Sequence, residues 1–162
     1  MIFRFEQIFD RRLIRETMLH PRLFDSIRDD QSPTAEEFHV ELSGSCFIGV
    51  YDDWGAYFGL FGLRPQTGVC WELHCCLLPS AWGRTTVISR QFLEWALANL
   101  PLKRIVAAVP DFNRLAMKLA HNSGMLEYGY NARSFEKDGV LHGMTLFATD
   151  HEIIEASANV IP

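Results

Sequence analysis

Apolar residues change their period several times along this chain, and each change marks an element. Residues 2–5, Ile-Phe-Arg-Phe, read as a short strand. From Gln7 to about Arg28 the positions Ile8, Leu13, Ile14, Met18, Leu23 and Phe24 recur at mixed helical spacing. His20-Pro21 divides this stretch into two helices, because a residue before proline avoids helical torsions. Residues 29–37, DDQSPTAEE, form the clearest polar loop.

From Phe38 to Leu78 the pattern predicts β-structure. Cys46 to Tyr51 is a compact apolar run, and Asp52-Asp53-Trp54-Gly55 reads as a turn. Ala56 to Leu63 returns, residues 64–68 turn again, and Val69 to Leu78 forms a long strand ending at Pro79. Short turns between successive strands imply an antiparallel meander. The period then lengthens. Val87, Ile88, Phe92, Trp95, Ala96 and Leu100 predict a helix over 85–100, closed by Pro101. Arg104 to Val109 reads as a buried strand, Asp111 to Ser123 as a helix, and Gly124 as its C-cap. Tyr128 to Glu136 and Leu141 to Ala148 form a hairpin about Lys137-Asp138-Gly139. Residues 150–162 read as a short helix or a tail. A meander running into strand–helix–strand predicts an α/β (α+β) domain over residues 1–162, with a mixed sheet and helices on its faces.

Composition sharpens this picture by exclusion. The 162 residues are 48% hydrophobic and 22% charged, enough to build a folded core. The net charge of −5 offers no basic face, so nucleic acid is not an expected partner. No apolar run approaches the roughly 20 residues of a membrane span, and the charged N-terminus is no signal peptide. Of Cys46, Cys70, Cys75 and Cys76, adjacent Cys75 and Cys76 on a strand point to opposite faces, so a disulfide framework is not expected, and without CxxC spacing neither is a zinc site. Reduced thiols in a cytoplasmic protein are the simpler reading.

The chemistry concentrates in residues 71–97, WELHCCLLPSAWGRTTVISRQFLEWAL. A strand ends at Pro79, a short loop carries Gly83 and Arg84, and a helix begins at Thr85 or Thr86. Unpaired N–H groups and the macrodipole make such a terminus a candidate anion site, with Arg84 as a phosphate contact and Thr85 or Thr86 as the cap. Many helices nevertheless begin after a glycine and bind nothing. On the strand, Glu72 and His74 share a face with Cys70 and Cys76. A strand Glu is more often a solvated or paired surface group, and a strand His is equally at home as a hydrogen-bonded core residue. Asn113 stands at a helix start, where capping is its simplest role.

This order of elements resembles the GNAT acetyltransferase superfamily, whose fourth strand leads into a pyrophosphate loop of pattern Q/R-x-x-G-x-G/A. That pattern falls on Ser80-Ala81-Trp82-Gly83-Arg84-Thr85. Downstream, where the family usually has a strand, then Asn with Ala three residues later, then a Gly-aromatic pair, this chain offers Ile105 to Val109, then Asn113, Ala116 and Gly124-Met125. SFEKDGVLHGMTLFA, residues 134–148, looks like its closing hairpin. Gly83 is retained in the loop. Ser80 and Thr85 depart from its pattern, and Ala120 stands where the family often has a tyrosine.

The resemblance implies a mostly antiparallel mixed sheet whose strands four and five splay to admit a pantetheine arm. It implies acetyl-CoA as cofactor, held by Leu77, Leu78, Trp82, Gly83, Arg84, Thr85, Thr86 and Asn113. It also implies N-acetyl transfer to an amine of a small molecule or protein, with Glu72 as first choice for general base and His74 as second. Tyr128, with Tyr130 near it, is the candidate replacement acid. An open cleft between those strands would favour this activity, and one plugged by Trp82, Phe112 or Thr85 would not. The alternative is a non-catalytic GNAT-like binding or assembly module. HPRLFDSIRDDQSPTAEEF, residues 20–38, resembles phage-encoded versions, some tied to virion assembly. The matching partners would be a second copy in a homodimer or a virion component. The location would be the cytoplasm, or host cytoplasm and virion for the phage version.

Overall fold

The computed structural model of the chain describes residues 2–158. Its strands are β1 (Arg4–Gln7), β2 (Cys46–Tyr51), β3 (Tyr57–Pro65), β4 (Cys70–Leu77), β5 (Arg104–Pro110), β6 (Leu126–Lys137) and β7 (Val140–Thr149). Its α-helices are α1 (Arg11–Met18), α2 (Pro21–Ile27), α3 (Thr85–Asn99), α4 (Arg114–Ser123) and α5 (His151–Ala158). The strands form one mixed sheet in the order β1-β2-β3-β4-β5-β7-β6. Neighbours are antiparallel except β4 and β5, which are parallel. α3 crosses between those two, as a parallel connection requires.

Helices cover both faces of the sheet. On one, Phe61 of β3 stacks on Phe92 of α3 with centroids 3.9 Å apart, and Ala120 of α4 and Ile154 of α5 join the same core. On the other, Ile14 of α1 packs with Phe47, Leu60 and Cys76. Cys75 and Cys76 therefore point to opposite faces, as strand alternation demands, and all four cysteines are free. The His20-Pro21 break is real: α1 ends at Met18 and Pro21 occupies the first turn of α2.

One expectation needs correcting. The pattern from Phe38 predicts β-structure, yet no strand forms between Phe38 and Ser45, and β2 begins only at Cys46. Phe38, Val40 and Leu42 pack against the α1 face as irregular chain. Glu41 accepts the Ser43 N–H, and Gly44 follows at φ +71°, so the segment turns before it can join a ladder. Of residues 150–162, His151–Ala158 form the helix α5, whereas 159–162 lie outside the described residues.

Candidate active site: a cleft between splayed strands

β4 and β5 pair at only three positions, Cys70 with Arg104, Trp71 with Ile105 and Glu72 with Val106. Beyond Glu72 they part. β4 stays with β3 through Leu77, and β5 stays with β7 through Pro110. Gly59 of β3 holds the far end of β4, opposite Leu77. Its φ is +124°, and a Cβ there would stand 2.4 Å from the Cys76 carbonyl oxygen. Only glycine lets β3 hold β4 that closely.

The parting opens a cavity of about 190 Å³. Glu72 and His74 of β4 line it from the α1 face. Leu73 and Cys75 line it from the α3 face, together with Ser89 and Leu93 of α3. Ala107 to Pro110 of β5 and Asn113, Ala116 and Ala120 of α4 and its cap close the far wall. The space therefore runs through the sheet. Trp82, Phe112 and Thr85, the anticipated plugs, are not among its walls, and Trp82 and Phe112 are exposed.

α3 begins at the wide end of this cleft, after a 3-10 turn at Pro79–Ala81. Gly83 in that connection has φ +89°. The cap of α3 is Arg84 and no side chain satisfies the first turn, so neither Thr85 nor Thr86 is the cap expected from the sequence. The first intrahelical bond runs from Ile88 N–H to Arg84 C=O, which leaves the amides of Thr85, Thr86 and Val87 without intrahelical acceptors. Arg84 packs 4.6 Å over the Phe58 ring and donates to the Ser80 carbonyl. Leu78 gives its N–H to Phe58, which leaves that amide engaged, and Leu77 is buried in the core. Asn113 caps α4 by accepting the Ala116 N–H at 3.1 Å.

Tyr128 lies elsewhere. A bulge between Glu127 and Gly129 displaces it from register, and its ring, 54% exposed, meets the Arg104 guanidinium at 5.8 Å. Arg104 belongs to the closed, paired end of β5, so Tyr128 cannot serve the cleft. Tyr130 is engaged as well. It donates to Asp111 at 2.7 Å, and that bond pushes its hydroxyl pKa up.

Cys75 lies in the cleft wall, and several further cleft residues escaped the sequence reading. Burial pushes the Cys75 thiol up to about 12, so it is a neutral wall and not a nucleophile. Ser26 and Ile27 of α2, with Phe135 and Met144 of the last hairpin, reach the cavity from the α1 side. They arrive by a strap. The Arg22 guanidinium lies 5.4 Å over Trp82 at one end of α2. At the other, the Lys137 ammonium donates to the Asp25 carbonyl. Just beyond, both carboxylate oxygens of Asp30 accept the N–H groups of Gly139 and Asp138 at 2.8 Å, which hold that carboxyl below its usual range. No local sequence signal links Asp30 to a turn more than a hundred residues away. Among the described residues no group of three His, Cys, Asp or Glu converges on a metal site. No helix there is long and apolar enough to cross a membrane.

No protein-family model matches the sequence, and no curated protein matches it. Solved structures do. Spermidine N-acetyltransferase from Vibrio cholerae in complex with CoA and spermine superposes with a TM-score of 0.76 at 16% identity, over 94% of this chain and 98% of that one. A mutant of the Vibrio cholerae enzyme gives 0.74 at 16% identity, over 96% and 99%. At such identity the likeness speaks for architecture. The parallel β4–β5 pair, its splay and the helices on both faces are the same arrangement: the chain has the GNAT acetyltransferase fold.

Proposed function

We propose that this protein, acting as one domain in the cytoplasm, transfers the acetyl group of acetyl-CoA to an amine of a small molecule or protein. The observation that carries the reading is the open cavity through the sheet at the β4–β5 splay. On its α3 face the uncapped first turn of α3 offers N–H groups and a positive dipole end to the phosphates of the donor. The apolar walls Leu73, Leu93, Ala107 and Ala116 suit a pantetheine arm. The neighbour that superposes best of the two described binds CoA, and the amine it holds is spermine, a small cation.

Glu72 faces the α1 side of the same opening. It accepts the proton that an ammonium must lose before its nitrogen can attack the thioester carbonyl. A C–N bond forms, the C–S bond breaks, and the electron pair leaves on sulfur. His74, two residues along the same face and exposed, is placed to pass the proton to solvent. A thiol with a pKa of about 8.5 departs without full protonation in the rate-limiting step at modest cost.

Titration calorimetry with acetyl-CoA, followed by thiol release with a panel of amines, tests the reading. Saturable binding and amine-dependent release support it. No heat at millimolar acetyl-CoA removes it and leaves the non-catalytic assembly module, whose mark would be stable co-purification with a virion component.

A further inference from the structure

Departure of a thiolate needs a hydrogen-bond donor near sulfur, and the cleft holds few uncommitted protons. Ser26 donates to the Leu23 carbonyl at 2.7 Å, and Ser123 to the Ala120 carbonyl at 3.1 Å. Asn113 is occupied in capping α4. Tyr128 is at the closed end of β5, and Tyr130 is bonded to Asp111. Glu72 and His74 face the opposite side of β4 from Cys75.

Ser89 differs from all of these. It sits in the second turn of α3, lines the cavity and is only 5% exposed. Its Oγ is buried and makes no hydrogen bond of ordinary geometry. The Cys75 thiol lies against it, a weak acceptor that remains neutral. Ala120 of α4 lines the same cavity and brings no polar group to it. A buried hydroxyl whose sole neighbour is a weak sulfur acceptor is a standing cost to the fold, and such groups concentrate where a ligand supplies a better partner.

We propose that Ser89 is a catalytic residue whose hydroxyl donates to the sulfur of the bound acyl thioester and stabilises the thiolate as it leaves. The assignment rests on the acetyltransferase reading above. As nitrogen bonds to the carbonyl carbon, the C–S electron pair moves to sulfur. Ser89 keeps its proton and shares it with sulfur through the hydrogen bond. The ammonium proton lost before attack and the second proton lost from the adduct nitrogen each pass through Glu72 to solvent, and the free thiolate takes one proton back from solvent. Acetyl thioester and ammonium become amide, thiol and one released proton.

The test compares wild type, Ser89→Ala and Ser89→Thr with a series of acetyl thioesters whose thiols differ in acidity. Ser89→Ala should lower kcat on the order of 10- to 100-fold, the range of one hydrogen bond to a charged group. The loss should be largest for the least acidic thiol, with Ser89→Thr restoring most of the rate. Because Ala removes an unpaired buried hydroxyl, Tm should hold or rise, whereas a purely structural role would lower it. An Ala variant with unchanged kcat and unchanged dependence on thiol acidity overturns the assignment of Ser89 while wild-type turnover upholds the acetyltransferase. Wild type that binds no acetyl-CoA overturns both.

Discussion

Glu72 and Cys75 are three positions apart on one strand, yet alternation sends them to opposite faces, and each face sets a different chemistry. Glu72 is half-buried at the mouth of the cleft, where a carboxylate can take a proton and return it to water. Glu72→Gln keeps shape and removes the base. Its kcat should fall by about 100-fold or more at neutral pH with acetyl-CoA affinity unchanged, read by thiol release and calorimetry. An undiminished kcat would move the base to His74. On the buried side the effect concerns stability. Burial pushes the Cys75 and Cys76 thiols and the Tyr57 hydroxyl up to about 12. Unfolded, they ionise near 8.5 and 10. Above pH ~8.5 the unfolded chain therefore binds fewer protons than the folded one, and stability falls as pH climbs toward 12. Urea midpoints at pH 7, 9 and 10 should decline in that order, and Cys76→Ala should shallow the decline. A flat profile would contradict the burial of these groups.

The N-terminus of α3 is the element on which the donor's phosphates depend, and it separates fold from function. Thr85 occupies its first turn, with no capping side chain before it. Thr85→Asp adds a negative charge where the dipole welcomes one, worth about 0.3–1 kcal/mol. For a domain of this size that raises Tm by roughly 1–4 °C. The same charge should repel the phosphates of acetyl-CoA and weaken its binding at least tenfold. Opposite signs in thermal melts and calorimetry are the expected result; two gains would place the phosphates elsewhere. Local elements of this kind were legible from the chain. The period of Val87, Ile88, Phe92 and Ala96 gives α3, and Asp138-Gly139, both at positive φ, gives the last turn. Illegible were features made by distant pairs. The Tyr128 site was misplaced because a bulge at Glu127 breaks the alternation on which a facing argument rests. The Asp30 strap joins residues with no local period between them. The orphan Ser89 hydroxyl looks, in sequence, like any small residue on a helix.

At the scale of the molecule, the sheet carries an apparent defect. Parallel neighbours ordinarily pair along their length, and β4 and β5 abandon one another after three positions. The inner backbone groups of residues 73–77 and 107–110 forgo strand partners, a loss that a buried sheet rarely tolerates. Each strand survives it because its outer edge is held, β4 by seven positions of β3 and β5 by six of β7. A ligand with amide groups along an extended arm is what these inner edges lack. Binding to the folded chain alone adds about 2.7 kcal/mol at a hundredfold excess over Kd. Thermal melts with acetyl-CoA at that excess should therefore rise by roughly 5–11 °C. Hydrogen exchange at residues 73–77 should slow together with the melt, and the amides of β6 should change little. Glu72→Gln should keep both effects, because it removes the base and leaves the arm's contacts intact. Stabilisation without protection of those β4 amides would mean that the ligand sits outside the splay, and the gap between β4 and β5 would then need another explanation.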